Sequence, residues 1–90
     1  MIKHLNISIS GRVQGVFFRE FAKREAIRLG ITGFVMNMSD GRLQIQAEGE
    51  ENDLKEFLEW CKEGPEVAKV DSIDATEGEI IGFKKFEIKF

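Results

Sequence analysis

Residues 11–19 read Gly-Arg-Val-Gln-Gly-Val-Phe-Phe-Arg, and these types in this order suit the binding of an oxyanion. Gly11 and Gly15 let the backbone bend where a side chain would clash. An alternating apolar strand precedes the run and a helical pattern follows it. Its N–H groups should therefore point outward at a helix start, where unpaired donors and the helix dipole favour an anion. Arg19, one turn into that helix, adds a planar guanidinium fork that fits phosphate oxygens. On composition alone Arg19 reads as a solvated arginine, and a cation is mildly disfavoured at the positive end of a helix. An anion held between the two removes that conflict. The glycines taken alone mark no more than a turn, and neither Gly-Lys-Ser/Thr nor Gly-x-Gly-x-x-Gly is present.

Other reactive residue types carry less. Asn37 interrupts an apolar alternation with a residue of low β propensity, and hairpin-end chemistry accounts for it as well as function does. Gln14 reads as a brace for the glycine loop. His4 alternates with the apolar residues of the first strand, which places it on a solvated sheet face. Cys61 falls on an apolar helix stripe and reads as core packing, not as a nucleophile. Asp71 and Asp74 have ligand-like spacing but no supporting cluster, so they read as solvated. Phe57 and Trp60 belong to the core and its flank.

The elements that must hold these residues follow from periodicity. Leu5, Ile7 and Ile9 alternate with His4, Asn6, Ser8 and Ser10, a strand with one buried face. Phe18, Ala22, Ala26 and Leu29 form one helical stripe, Phe21 lies at its periphery, Ile27 lies off it, and Gly30 stops the helix. Phe34, Met36 and Met38 alternate before Ser39-Asp40-Gly41, and Leu43, Ile45 and Ala47 alternate after it, a strong hairpin signal. Leu54, Phe57, Leu58 and Cys61 give a second amphipathic helix over about 51–63, ended by Gly64-Pro65. A weaker strand spans 67–75, with its spacing broken near Asp71 and Ser72 as at a bulge. A turn-rich connection over 76–82 leads to a last strand in which Phe86, Ile88 and Phe90 alternate with charges. The order is β-α-β-β-α-β plus a C-terminal strand. It predicts an α+β, ferredoxin-like sandwich in one domain over 1–90, with two helices on one face of an antiparallel sheet.

Composition narrows the function. The chain has 90 residues, 42% of them apolar, enough for one small core. Its formal charge of −3 is unevenly spread. Residues 1–38 hold six Lys/Arg against Glu20 and Glu25, whereas the remainder holds seven basic and fourteen acidic residues. The glycine loop thus lies in the positive part of an acidic protein, which suits a small anion better than a long polyanion. One cysteine excludes an intramolecular disulfide framework. The N-terminus alternates instead of forming an apolar block, and no apolar run approaches the ~20 residues of a membrane span. A soluble, cytoplasmic monomer is expected.

Residues 11–19 resemble the first signature of the acylphosphatase family, Gly-x-Val-Gln-Gly-Val-x-(Phe/Met)-Arg. Gly33-Phe34-Val35-Met36-Asn37, followed by Gly41, Leu43 and Gly49, resembles the second, and the likeness extends over essentially the whole chain. Leu43 stands where Val is usual, Phe90 where Tyr is common, and Phe17 fills a variable position. The resemblance implies hydrolysis of acyl phosphates to carboxylate and phosphate, with no metal and no cofactor. It further implies that backbone N–H groups of Gly15, Val16, Phe17, Phe18 and Arg19 cradle the phosphoryl oxygens. Arg19 would bind the same group, and Asn37 would hold the attacking water through its amide oxygen or nitrogen. Asn has no useful pKa and cannot be a general base, so a phosphoryl oxygen of the substrate would take the proton.

The rival reading is a non-catalytic phosphate- or carbamoyl-phosphate-binding module, since domains of this kind also occur inside larger proteins. Domain length together with both Arg19 and Asn37 favours a free-standing enzyme whose one partner is a small acyl phosphate. A nucleic-acid binder of the same fold class lacks the basic–aromatic sheet signature, and the acidic balance opposes it. Nothing in residues 11–49 reads as a pocket for the acyl group.

Overall fold

The computed structural model describes residues 1–90. The alternations become five strands: β1 (Ile2–Arg12), β2 (Thr32–Asn37), β3 (Leu43–Glu50), β4 (Lys69–Gly78) and β5 (Phe86–Lys89). The two stripes become α1 (Phe18–Arg28) and α2 (Glu51–Glu63). The strands form one sheet in the order β4-β1-β3-β2-β5. Both helices cover the face that Ile7, Ile9, Val35, Leu43, Ile45 and Ala47 make apolar. Phe18, Ala22 and Ala26 from α1 and Leu54, Phe57 and Cys61 from α2 complete the core. The ferredoxin-like arrangement is the one the pattern predicts. Burying side chains the size of Phe18 or Phe57 stabilises the fold by roughly 1.5–3 kcal/mol each. Trp60 packs edge-on against Phe18, with centroids 5.4 Å apart, and so joins the helices at one end of the sandwich.

Four details depart from or refine the sequence reading. The sheet is mixed: β5 pairs in parallel with β2, Gly33 facing Phe86 and Met36 facing Lys89, while the other pairs are antiparallel. This choice of edge depends on how α2 and the following segment return the chain, which local periodicity does not encode. The second departure is β4, which starts later and runs further than expected. Ala68 N–H closes a turn onto the Pro65 carbonyl, and Thr76, Glu77 and Gly78 pair with Asn6, Leu5 and His4 instead of turning. The bulge is where the spacing broke. Ser10 faces Ser72 and Gly11 faces Val70, so Asp71 is the extra residue.

The fourth detail corrects the reading of His4, which is buried, not solvated. Its direct cross-strand partner is Glu48, also buried, and the His4 Nδ1–Glu48 Oε2 distance is 2.6 Å. The segment between β4 and β5 crosses the helix-free face here. The N–H groups of Ile81, Gly82 and Phe83 all donate to the Glu48 carboxylate, at 2.6, 3.0 and 3.3 Å. Phe83 also meets His4 and Phe34 with its ring. Burial opposes the Glu48 charge, but the hydrogen bonds from Ile81, His4, Gly82 and Phe83 outweigh it and hold the carboxyl below its ordinary value.

Candidate active site

The loop between β1 and α1 is shaped by three local features. At its entry, Gly11 has φ 126°, and a Cβ there would lie 2.2 Å from the Lys69 carbonyl oxygen. Only glycine allows β4 to approach so closely. Val13 N–H then turns back onto the Gly11 carbonyl at 3.0 Å, and Val13 is buried. Further on, Gly15 (φ 72°) and Phe17 (φ 64°) both adopt left-handed backbone. At Phe17 a left-handed residue runs directly into the right-handed helix that starts at Phe18, and such a step turns successive N–H groups to one side.

No side chain caps α1, and the first helical bond runs from Phe21 N–H to the Phe17 carbonyl. The N–H groups of the first turn thus point outward at the positive end of the helix. Arg19 is half-buried there and takes part in no ion pair, whereas Arg28 holds Glu25 and Glu56 and Arg42 holds Asp40. Its guanidinium lies over the Phe90 ring, Cζ 4.9 Å from the centroid.

Gln14 braces the loop, as its sequence position suggests. Its Nε2 donates to the carbonyls of Met38 (2.8 Å) and Arg42 (3.0 Å), tying the loop to the β2–β3 hairpin. That hairpin carries Asn37 at the end of β2, opposite Leu43 and therefore on the helix-bearing face. Asn37 Oδ1 is buried and has no hydrogen-bond partner in the protein. An acceptor left so costs ~1–3 kcal/mol, a cost that an incoming O–H or N–H donor would relieve.

Gly15, Phe17, Phe18, Arg19 and Asn37 converge on one concavity of about 180 Å³, with Val13 and Glu20 completing its lining. Val16 is not part of the lining, because its side chain is in the core. The sequence reading missed two neighbours. Glu20 figured only as one of two acids in residues 1–38, and Phe90 reaches Arg19 because β5 runs parallel to the strand that carries Asn37. A larger hollow, about 220 Å³, lies around Asn6, Ser8, Arg42 and Asp74 on the helix-free face, and none of its side chains is a buried polar group without a partner. Nowhere do three or more His, Cys, Asp or Glu side chains cluster as metal ligands would. Cys61 lies in the core, where burial pushes its thiol up and keeps it from acting as a thiolate. Asp71 and Asp74 are exposed.

The arrangement is a small concavity that brings Arg19 and the open start of α1 to the same place as a buried amide oxygen. The family model described as acylphosphatase matches residues 5–88. An acylphosphatase of Methylococcus capsulatus is 40% identical over 97% of this chain and 96% of its own length. The crystal structure of acylphosphatase from Bacillus subtilis superposes with a TM-score of 0.95 at 42% identity, covering 100% of both chains. The whole chain also matches 12% of a full-length HypF crystal structure in the phosphate- and nucleotide-bound form, with a TM-score of 0.94 at 38% identity. The chain belongs to the acylphosphatase family, and matches at such coverage support an acylphosphatase enzyme. No helix is long and apolar enough to cross a membrane.

Proposed function

We propose that the chain hydrolyses the carboxyl–phosphate bond of acyl phosphates by attack of water at phosphorus. One observation carries this reading: Arg19, the open N–H groups at the start of α1 and the unpartnered Asn37 Oδ1 line the same concavity. The N–H groups of residues 15–19 and the Arg19 fork bind the phosphoryl oxygens and stabilise the charge that spreads over them. Asn37 Oδ1 accepts a hydrogen bond from the attacking water and so orients its lone pair at phosphorus. The water oxygen bonds to phosphorus, the bond to the carboxylate oxygen breaks, and the carboxylate departs with the bonding pair. The water proton passes to a phosphoryl oxygen, so the products are carboxylate and inorganic phosphate. A carboxylate leaves without general-acid help, so positioning and charge suffice and neither metal nor cofactor is needed. A pH–rate profile requiring an enzyme base near neutrality would contradict the proton's route.

The proposal includes a single-domain monomer in the cytoplasm acting on a small substrate, with no nucleic acid or membrane as partner. One core that draws on both helices and the sheet supports the single domain. The match to part of HypF favours one second reading, a non-catalytic phosphate-binding module. Hydrolysis of benzoyl phosphate with chelator present separates the two. Rapid hydrolysis by the wild-type chain, lost in Arg19→Ala, supports the enzyme; no hydrolysis by folded wild type, with phosphate still bound, supports the module.

A further inference from the structure

Phe17 is the one residue other than glycine with positive φ, and its side chain is 67% exposed. A bulky aromatic residue in left-handed backbone is strained, and such strain persists where the surroundings force it or where function uses it. Val16 and Phe18 on either side are buried in the core and hold the backbone between them, but the Phe17 ring itself stays outside that core. The next residue, Phe18, is 1% exposed and anchors α1 in the core, so the aromatic pair splits, one ring inward and one outward. Glycine at position 17 would relieve the strain, and the exposed Phe17 ring pairs with no other ring of the protein. Phe17 lines the concavity together with Arg19, and the fully exposed Phe90 ring lies against the Arg19 guanidinium. A phosphoryl group held by Arg19 and the loop leaves its acyl group to extend outward, past these two rings.

We infer that Phe17, with Phe90 beside Arg19, forms a platform for the acyl group and selects acyl phosphates whose acyl part is flat, apolar and uncharged. This rests on the activity proposed above and names the substrate class it favours. An aryl group gains ring stacking and apolar burial there, whereas an acetyl group is too small to reach either ring. Phe90 is a positioning residue as well as a surface, because it holds the face of the guanidinium that the phosphoryl group does not need.

The test compares kcat/KM for benzoyl phosphate and acetyl phosphate in the full chain and in Phe17→Gly, Phe17→Tyr and Phe90→Ala. The benzoyl-to-acetyl ratio should fall about tenfold in Phe17→Gly, remain near wild type in Phe17→Tyr and fall by a smaller factor in Phe90→Ala. The ratio cancels any change in the phosphate cradle common to both substrates, and glycine fits the left-handed position. Hydrolysis of both substrates with an unchanged ratio in Phe17→Gly would overturn the platform and leave the activity standing. Hydrolysis of neither by the wild-type chain would overturn the activity and the platform with it.

Discussion

At residues 81–83 three consecutive backbone N–H groups meet the Glu48 carboxylate, whereas the N–H groups at the start of α1 meet no side-chain acceptor. Both segments collect backbone donors around a place for negative charge. On the helix-free face the anion is built in: Glu48 comes from β3, a direct cross-strand neighbour of His4, and its oxygens accept four hydrogen bonds. On the helix-bearing face no side chain caps the donors at the start of α1, Glu20 lines the concavity without bonding to them, and the nearby Asn37 oxygen is left without a donor. Satisfied polar groups hold a structure together, while unsatisfied ones are kept at a cost and are free to bind something else. The first cradle is a latch that pins the segment leading into β5. The second is the site we propose for the substrate.

Substitutions in the two cradles should separate stability from turnover. The largest effect is expected from Arg19→Ala, which should lower kcat for an aryl acyl phosphate by at least ~10²-fold without unfolding the protein. Arg19→Lys should restore only part of it, since the planar fork is lost. Near-wild-type turnover in either variant would remove Arg19 from the mechanism. Glu48→Gln should do the reverse. It should cost about 2 kcal/mol of unfolding free energy in urea, because a charged acceptor of four bonds is removed from a buried place. Turnover of the folded fraction should change by less than about threefold. A fall in kcat matching that of Arg19→Ala would erase the distinction between the cradles.

Asn37→Ala should lower kcat by about tenfold and affect KM less, while stability stays level or rises by up to ~1 kcal/mol as the unpartnered oxygen disappears. A change confined to KM would contradict a role in placing water. The smallest expected effect is on acid stability. Glu48 has a folded pKa below its unfolded one, so its contribution is complete above the unfolded value, near ~4.3, and is lost as pH falls through the folded value. Unfolding free energy measured from pH 6 downward should decline more steeply in the wild type than in Glu48→Gln, and parallel curves would contradict the latch.

Much of the proposed site is local, and its parts can be read in the sequence. The glycines at 11 and 15, the helix start and Arg19 lie within nine residues, and Asp40-Gly41 fixes the hairpin that brings Asn37 to the end of its strand. The bulge at Asp71 also showed as a break in alternation. What stayed hidden depends on distant segments meeting. The period-two pattern puts His4 on the face away from the helices, but only the return of residues 79–85 across that face buries it. Glu48 reads as one more acid until its partners, 33 to 44 residues away, are known. The parallel pairing of β5 with β2, and with it the contact of Phe90 with Arg19, is likewise a consequence of chain path and not of local propensity.

The central claim is that the donors at the start of α1 form an open anion cradle while those at residues 81–83 are already filled. Titration of the 15N-labelled protein with inorganic phosphate, followed through its amide resonances, tests both halves at once. The account predicts saturable shifts of the amides of residues 15–19, absent in Arg19→Ala, with the amides of Ile81, Gly82 and Phe83 unmoved. Unmoved amides at 15–19, or shifts confined to 81–83, would contradict it.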